Sequence, residues 1–571
     1  MFRLPLTRKL SVGLKERRFC ATNKIILFDL FSPSVFCFAK STSLVRGRRW
    51  KFCKPIVYKG ERKMKTKTKL SSKRICDFYK ELEKYGIENH GLIIEQGGEI
   101  LFEEYAYPYS ADMPHTLFSV TKSIVATAAG FAIEEGLFSL DTKILSLFPE
   151  YEHCESAEWE NLTVRSVLTM QSNKEFTFLQ DMTGNYAEMF MKAPFRKEKG
   201  FLYSNNDAHM VAAIVAKTAG MNLVNYLTPR LFEPLGINPP AWETNCIGEC
   251  VGGTGAYLTL RDLVKISRCY ADGGVYNGKQ VIPEWWTKEA TKRQVELPGR
   301  ENEDGYGYLF WIHGDTFSMN GMFGQQITYI PKYNAVIGSL NSVVGDDMHN
   351  SLVKDFLPLA FEEESTVESD EMLREYLENR GEKIPVCGSL PPIPTGRTFY
   401  MTPASDALAK LMFPASLIPR SITASFAKRP KKNLDCVSFE LDENVLHISW
   451  FEEEDKVVVD CGIDGKPRLT RCSIKGYPYT VWAYAYARKN VVHAVVKPIN
   501  TLATQRITFE FSGDTMKMAM VGTPDFKEFI AKNAAQSEFY RKTSEKLTFI
   551  SKGLDFALST VEMPMKFKVR K

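Results

Sequence analysis

Ser119-Val120-Thr121-Lys122 places a hydroxyl and an amine three residues apart. On a helix that spacing stacks them on one face, one turn from each other. A serine is a poor nucleophile until a base takes its proton. A lysine amine can act as that base once desolvation or a neighbouring cation brings its pKa well below the reference of about 10.4. A helix starting at the serine also aims backbone N–H groups at the reaction centre, where negative charge develops. The tetrapeptide alone is a weak signal, because Ser351 to Lys354 and Ser425 to Lys428 repeat it. With no other motif beside it, Ser119 reads as an N-terminal helix serine with a solvent-facing Lys122.

Two further segments change that balance. Tyr203-Ser204-Asn205 follows 84 residues after the serine, and in extended backbone positions i and i+2 face the same way, so phenol and carboxamide share one cleft. Tyr203 would relay protons, and Asn205 would orient Lys122 or a substrate carbonyl. The plainer reading is a half-buried aromatic and a helix cap. Asn320-Gly321-Met322-Phe323-Gly324-Gln325 precedes a strand, and its glycines let backbone approach a ligand and expose an N–H to an oxyanion. A bulge or turn at a strand start is the alternative. His115 reads as a surface or pocket-wall histidine, since no aspartate arrangement accompanies it. Asp346, Asp347 and the acidic patch near Glu362 read as solvated faces.

These residues need elements to hold them. Gly91 to Gln96 and Glu99 to Tyr105 read as strands joined by a tight Gly97-Gly98 hairpin. From Ser119 to Glu135, apolar Val120, Ile124, Ala128, Phe131 and Ala132 recur near the 3.6-residue period, predicting a helix with one buried face that ends at Gly136. Further helices are predicted at Thr163 to Gln171 and at Asp207 to Thr218, the second capped by Asn205 or Asn206 and stopped by Gly220. Tyr306 to Trp311, Gln326 to Ile330 and Ala335 to Leu340 read as strands. Strands at both ends with helices between them predict a mixed α/β unit over about residues 70 to 360. An acidic surface helix near Glu362 to Glu371 and a connector with Pro385, Pro391, Pro392 and Pro394 follow. Short alternating strands then form a separate β domain: Cys436 to Leu441, Val445 to Phe451, Val457 to Cys461, Thr480 to Tyr486, Val491 to Lys497 and Arg506 to Phe511.

With 571 residues, 44% of them hydrophobic and 25% charged, the chain is long enough for several buried cores. Global disorder and a collagen-like polymer are excluded, and no apolar run reaches the roughly 18 residues of a membrane-spanning helix. Residues 1–63 hold 16 Lys and Arg against three acidic residues, a surplus of +13, which leaves −8 of the overall +5 for residues 64–571. That body has no excess of positive charge for a nucleic-acid partner. The twelve Cys follow no paired C-x-x-C pattern, so neither a metal site nor a disulfide framework is expected, and scattered thiols fit a reducing, cytoplasmic setting. Ile25 to Ala39 has some features of a targeting segment, but Asp29 and Pro33 interrupt it. The expected division is a basic extension over 1–63, ending before Met64, and a catalytic domain over 64–365. An acidic helix and linker over 366–395, a β domain over 396–532 and a tail over 533–571 complete it.

Taken together, the three motifs resemble the serine beta-lactamase-related hydrolases: class C beta-lactamases, D-amino-acid carboxypeptidases and aminopeptidases, beta-lactamase-like esterases and aminohexanoate-oligomer hydrolases. Gly136-Leu137-Phe138-Ser139-Leu140-Asp141, Leu168-Thr169-Met170, Phe232-Glu233-Pro234-Leu235-Gly236, Gly255-Ala256-Tyr257-Leu258-Thr259 and Gly305-Tyr306-Gly307-Tyr308 support it, over about residues 85 to 345. The resemblance implies an α/β (α+β) fold of beta-lactamase/transpeptidase type. In it a five-stranded antiparallel sheet is flanked by helices, and the site lies between the sheet and an all-helical subdomain. It implies Ser119 as acyl-accepting nucleophile, Lys122 and Tyr203 sharing the acid/base role and Asn205 as polar partner. The N–H groups of Ser119 and of a residue among Gly321 to Gly324, taken as Met322, would bind the oxyanion. It implies no metal or organic cofactor and a small-molecule ester or amide as partner.

Many members carry a Lys or His in the third motif, where this chain has the uncharged Gly321-Met322-Phe323-Gly324. That departure favours a neutral substrate over a beta-lactam or D-alanyl peptide, with Arg196 or Lys197 as cations from elsewhere. The competing reading is a catalytically silent binding or sensor protein of the same fold. A third, in which the C-terminal β domain is a partner-binding module and the main function, rests on that domain's size alone.

Overall fold

Gly97 and Gly98 take φ of 56° and 92°, the pair of positive values a two-residue hairpin turn demands, and they join β1 (Glu88–Gln96) to β2 (Glu99–Tyr105). The computed structural model describes residues 70–523 and 564–569, except 155, 176–184, 246, 300–302, 345–346, 381–383, 386–389, 412–415, 419–433, 453–454 and 475–476. The basic extension, Ser425 to Lys428, Asp346 and most of the loop around Thr177 lie outside the described residues.

The hairpin belongs to an antiparallel sheet. β3 (His115–Thr116) and β4 (Ala256–Leu258) pair with each other beside it; β5 (Val295–Glu296), β6 (Gly305–Tyr306), β7 (Trp311–His313), β8 (Thr316–Gly321), β9 (Gln325–Ile330) and β10 (Ala335–Ser342) complete it in the order β2-β1-β10-β9-β8-β7-β6-β5. The five long strands are those the resemblance implied. The expected single strand Tyr306 to Trp311 is instead broken, because Leu309 takes φ 61° and turns its carbonyl oxygen to accept from Ser123 Oγ at 2.8 Å.

α1 (Ser72–Lys84) covers one face of the sheet with Ile75, Phe78 and Leu82 packed on Leu92, Ile94 and Ile337. On the other face lie α2 (Val120–Glu134), α3 (Val164–Leu168), α4 (Tyr186–Lys192), α5 (Asn205–Ala219), α6 (Leu260–Ala271) and α7 (Glu284–Ala290). α2 was expected to bury one face, yet every residue from Val120 to Ala132 is buried. A helix enclosed on all sides needs small residues where neighbours come close. At Gly130 a Cβ would lie 2.4 Å from the Trp286 ring.

The acidic residues are only partly solvated. Glu362 accepts from Lys332 and Glu363 from Arg74, which fastens the start of α8 (Val367–Asn379) to the rest of the unit.

The β domain is a barrel of β11 (Thr398–Met401), β12 (Cys436–Asp442), β13 (Val445–Glu452), β14 (Asp455–Gly462), β15 (Arg468–Ile474), β16 (Tyr477–Arg488), β17 (Val491–Pro498), β18 (Thr504–Ser512), β19 (Thr515–Thr523) and β20 (Met565–Val569). Their order is β14-β13-β12-β11-β20-β19-β18-β17-β16-β15, with β14 also meeting β16. Inward Leu446, Ile448 and Trp450 alternate with half-exposed neighbours, the period-2 signature of a filled barrel. The expected tail over 533–571 needs correction at its end. Met565 and Phe567 are buried and their strand fills the gap between β11 and β19, while residues 524–563 are not described.

Candidate active site

β3 leads into a tight turn, and Phe118 takes φ 47° there before Ser119 caps α2 with no side-chain capping bond. The Ser119 hydroxyl is thereby left for other work. Lys122, 1% exposed, sets its Nζ 2.7 Å from Ser119 Oγ, 2.6 Å from Asn205 Oδ1 and 2.6 Å from the Gly253 carbonyl oxygen. An ammonium donates three N–H bonds and would be satisfied in full. A neutral amine would donate two, to Asn205 and Gly253, and turn its lone pair to the Ser119 hydroxyl.

Asn205 or Asn206 was expected to cap this helix, but Ser204 fills that role: its Oγ accepts from the N–H groups of Asn206 and Asp207 at 3.1 and 3.2 Å. α5 starts at Asn205, and its carboxamide is left to accept from Lys122. Tyr203 closes the other side. Lys122 Nζ lies 4.9 Å from its ring centroid, and the ring stacks on Trp311 at 5.1 Å and 25°. Tyr203 and Asn205 thus both reach Lys122.

The third segment is the β8–β9 turn. A Cβ at Gly321 would lie 2.3 Å from the Leu117 carbonyl oxygen and 3.3 Å from Ser119 N, so its backbone lies directly on the turn that leads into Ser119. Phe323 and Gly324 take φ of 64° and 83°. Gln325 Nε2 donates to the carbonyls of Phe323 and Asn341 at 3.0 and 2.7 Å, and Asn341 Nδ2 donates to Gly324 O at 2.5 Å. Met322 is half-buried between these ties.

Asp207 and His115 are both buried. Burial pushes the Asp207 carboxyl up to about 7, against hydrogen bonds from Ser172 that oppose the rise. His115 is not on a surface or a pocket wall. It is 2% exposed, bonded to His90 and to Thr116 O, and burial lowers it to about 3. Lys197 is exposed and Arg196 half-buried, with Arg196 Nη1 lacking a partner among the described residues. Lys354 of the second S-x-x-K pairs with Glu303 at 3.4 Å.

Residues 77–349 match the family model described as Beta-lactamase. This part of the chain belongs to the beta-lactamase superfamily. Within the superfamily, the 6-aminohexanoate-dimer hydrolase of Paenarthrobacter ureafaciens is 24% identical over 302 residues, covering 47% of this chain and 76% of that protein. Among solved structures, the octameric penicillin-binding protein homologue from Pyrococcus abyssi is similar with TM-score 0.41 at 14% identity, covering 78% of this chain and 97% of that one. The D-amino acid amidase from Ochrobactrum anthropi SV3 is similar with TM-score 0.41 at 17% identity, covering 51% and 97%.

The superfamily motifs led to Ser119, Lys122, Tyr203, Asn205, Met322 and Gly324 but not to Gly253. Its signal was the cluster Gly252-Gly253-Thr254-Gly255, where backbone comes close to α5: a Cβ at Gly253 would lie 2.8 Å from Asn205 Cβ. Gln325 and Asn341 were also missed as the residues that tie the β8–β9 turn from behind.

Proposed function

We propose that this chain is a serine hydrolase that cleaves an ester or amide bond through an acyl-enzyme on Ser119. The observation that carries the reading is the position of Lys122 Nζ, 2.7 Å from Ser119 Oγ and held by Asn205 and Gly253. In the reactive form the neutral amine takes the Ser119 proton as Oγ attacks the carbonyl carbon. The oxyanion is received by the N–H groups of Ser119 and Met322, whose turns touch through Gly321. The proton on Lys122 passes to the leaving group with Tyr203 as relay, and the carbonyl re-forms as the leaving group departs. Water then attacks the acyl-enzyme, giving its proton to Lys122, and Ser119 is regenerated.

The segment Asn320 to Gln325 carries no charged side chain, which supports a neutral acyl group. The relative from Paenarthrobacter is named for the 6-aminohexanoate dimer; we extend from it only the class, an ester or amide of low charge, with half-buried Arg196 as a candidate cation for a substrate carboxylate.

The test is intact-mass spectrometry after exposure to a fluorophosphonate probe, with p-nitrophenyl butyrate turnover in parallel. One adduct on the wild type and none on Ser119→Ala is the expected result, and Lys122→Met should lower turnover by roughly 10²- to 10⁴-fold. A folded wild type with neither adduct nor turnover would make the chain a silent binding protein of this fold.

A further inference from the structure

The barrel touches the catalytic unit where the nucleophile strand begins. The Thr116 N–H donates to the carbonyl oxygen of Asn500 at 3.2 Å, in the corner that follows β17. That corner is itself held firmly: Ile499 N donates to Thr480 O at 2.9 Å and Thr501 N to Pro498 O at 3.0 Å. The other backbone polar group of Thr116, its carbonyl oxygen, lies 2.8 Å from His115 Nδ1.

A carbonyl only accepts, so His115 Nδ1 carries the proton and its Nε2 is an acceptor. His90 Nδ1, 2.9 Å away, is therefore the donor to it, and His90 Nε2 faces Glu88 Oε1 at 3.7 Å. Glu88 in turn accepts from Lys497 of β17, whose side chain is 7% exposed. Lys497, Glu88, His90 and His115 thus line up from the barrel to the Thr116 carbonyl, with Glu88 38% exposed and His90 Nε2 beyond hydrogen-bond distance of it. An apolar contact backs it, with Tyr109 packed among Trp482, Tyr484, Val495 and Ile499 of the barrel and His90 stacked on Tyr109 at 3.9 Å.

We propose that the C-terminal barrel is a working part of the hydrolase site: its corner at 497–500 accepts the Thr116 N–H, three residues before Ser119, and ties Lys497 to Glu88 of β1, with Lys497 as a positioning residue. This rests on the reading of Ser119 as nucleophile. A barrel that served only as a separate module would have no reason to bury a lysine against a glutamate of β1, nor to satisfy an N–H in the strand that delivers the serine.

The experiment uses the full chain and compares wild type, Lys497→Met, Lys497→Arg and Ile448→Ala, the last in the barrel core. Two rates are read well below every melting temperature: fluorophosphonate labelling of Ser119, and hydrogen–deuterium exchange in a peptide containing the Thr116 amide. Lys497→Met should slow labelling at least about ten-fold, as a displaced nucleophile does, and speed exchange at Thr116. Lys497→Arg should stay within about three-fold of wild type because it restores the ion pair, and Ile448→Ala should lower the melting temperature without slowing labelling. The proposal is overturned if Lys497→Met labels at the wild-type rate, or if Ile448→Ala slows labelling equally. A wild type that takes no adduct is a distinct result, which removes the nucleophile reading and this proposal with it.

Discussion

The rings of Phe118 and Phe323 meet edge to face at 5.2 Å, and both residues occupy the left-handed region, with φ of 47° and 64°. Bulky side chains rarely adopt that backbone. Here two such turns, one before the proposed nucleophile and one in the proposed oxyanion segment, hold each other in place.

Phe323→Ala should therefore affect more than packing. Its ring is buried at 4% exposure, so truncation should cost about 3 kcal/mol of stability, measured by urea unfolding. With Met322 N–H released from its position, kcat should fall while KM changes little. A rise in KM at unchanged kcat would place Phe323 in substrate binding instead.

Gly253→Ala tests the carbonyl that holds Lys122. The added Cβ would lie 2.8 Å from Asn205 Cβ and 2.9 Å from Asn205 O, forcing apart two residues that accept from Lys122 Nζ. We expect a loss of about 1–3 kcal/mol together with a large fall in Ser119 labelling. Gly136→Ala is the comparison: it meets nothing within 4 Å but has φ +73°, so it should lose stability and keep its labelling rate. Equal labelling by both variants would remove Gly253 from the site's working parts.

The pH dependence of stability should carry the mark of Asp207. Its buried carboxyl titrates near 7 in the fold against an ordinary 3.8, so between about pH 4 and 7 the folded chain holds a proton that the unfolded chain has lost. Stability from this group is present below about pH 4 and lost as pH rises to 7. Buried His115, His209 and His349, each lowered from 6.5 to about 3, act in the opposite sense and lose stability as pH falls below 6.5. The difference between wild type and Asp207→Asn isolates the carboxyl. On raising pH from 4.5 to 7, the variant should gain on the wild type by more than about 1 kcal/mol. A constant difference would mean that Asp207 is ionised throughout.

Legibility in the sequence followed the range of the interaction. The hairpin at Gly97-Gly98, the helix after Ser119 and most of the alternating barrel strands are governed by neighbours within a few residues, and they were readable. β20 carries the same alternation, Met565-Lys566-Phe567-Lys568-Val569, but five residues at the end of the chain give no sign that β11 and β19 leave a gap for them. The period of α2 correctly predicted a helix and misjudged its surroundings, because an apolar stripe on one face says nothing about what packs on the other. Asn205 or Asn206 was the expected cap since Asn caps helices well, but Ser204 lies just before them and does so, which leaves Asn205 to Lys122.

What the sequence determined alone is the hydroxyl and amine on one helical turn, a spacing that backbone geometry converts into proximity wherever the helix forms. Only the tertiary structure decided what that amine meets. The Gly253 carbonyl is 131 residues from Lys122, and the Asn500 carbonyl that accepts from Thr116 comes from a separate β domain. Such contacts arise from how the chain crosses itself and from which backbones glycine lets touch, and no local spacing encodes either.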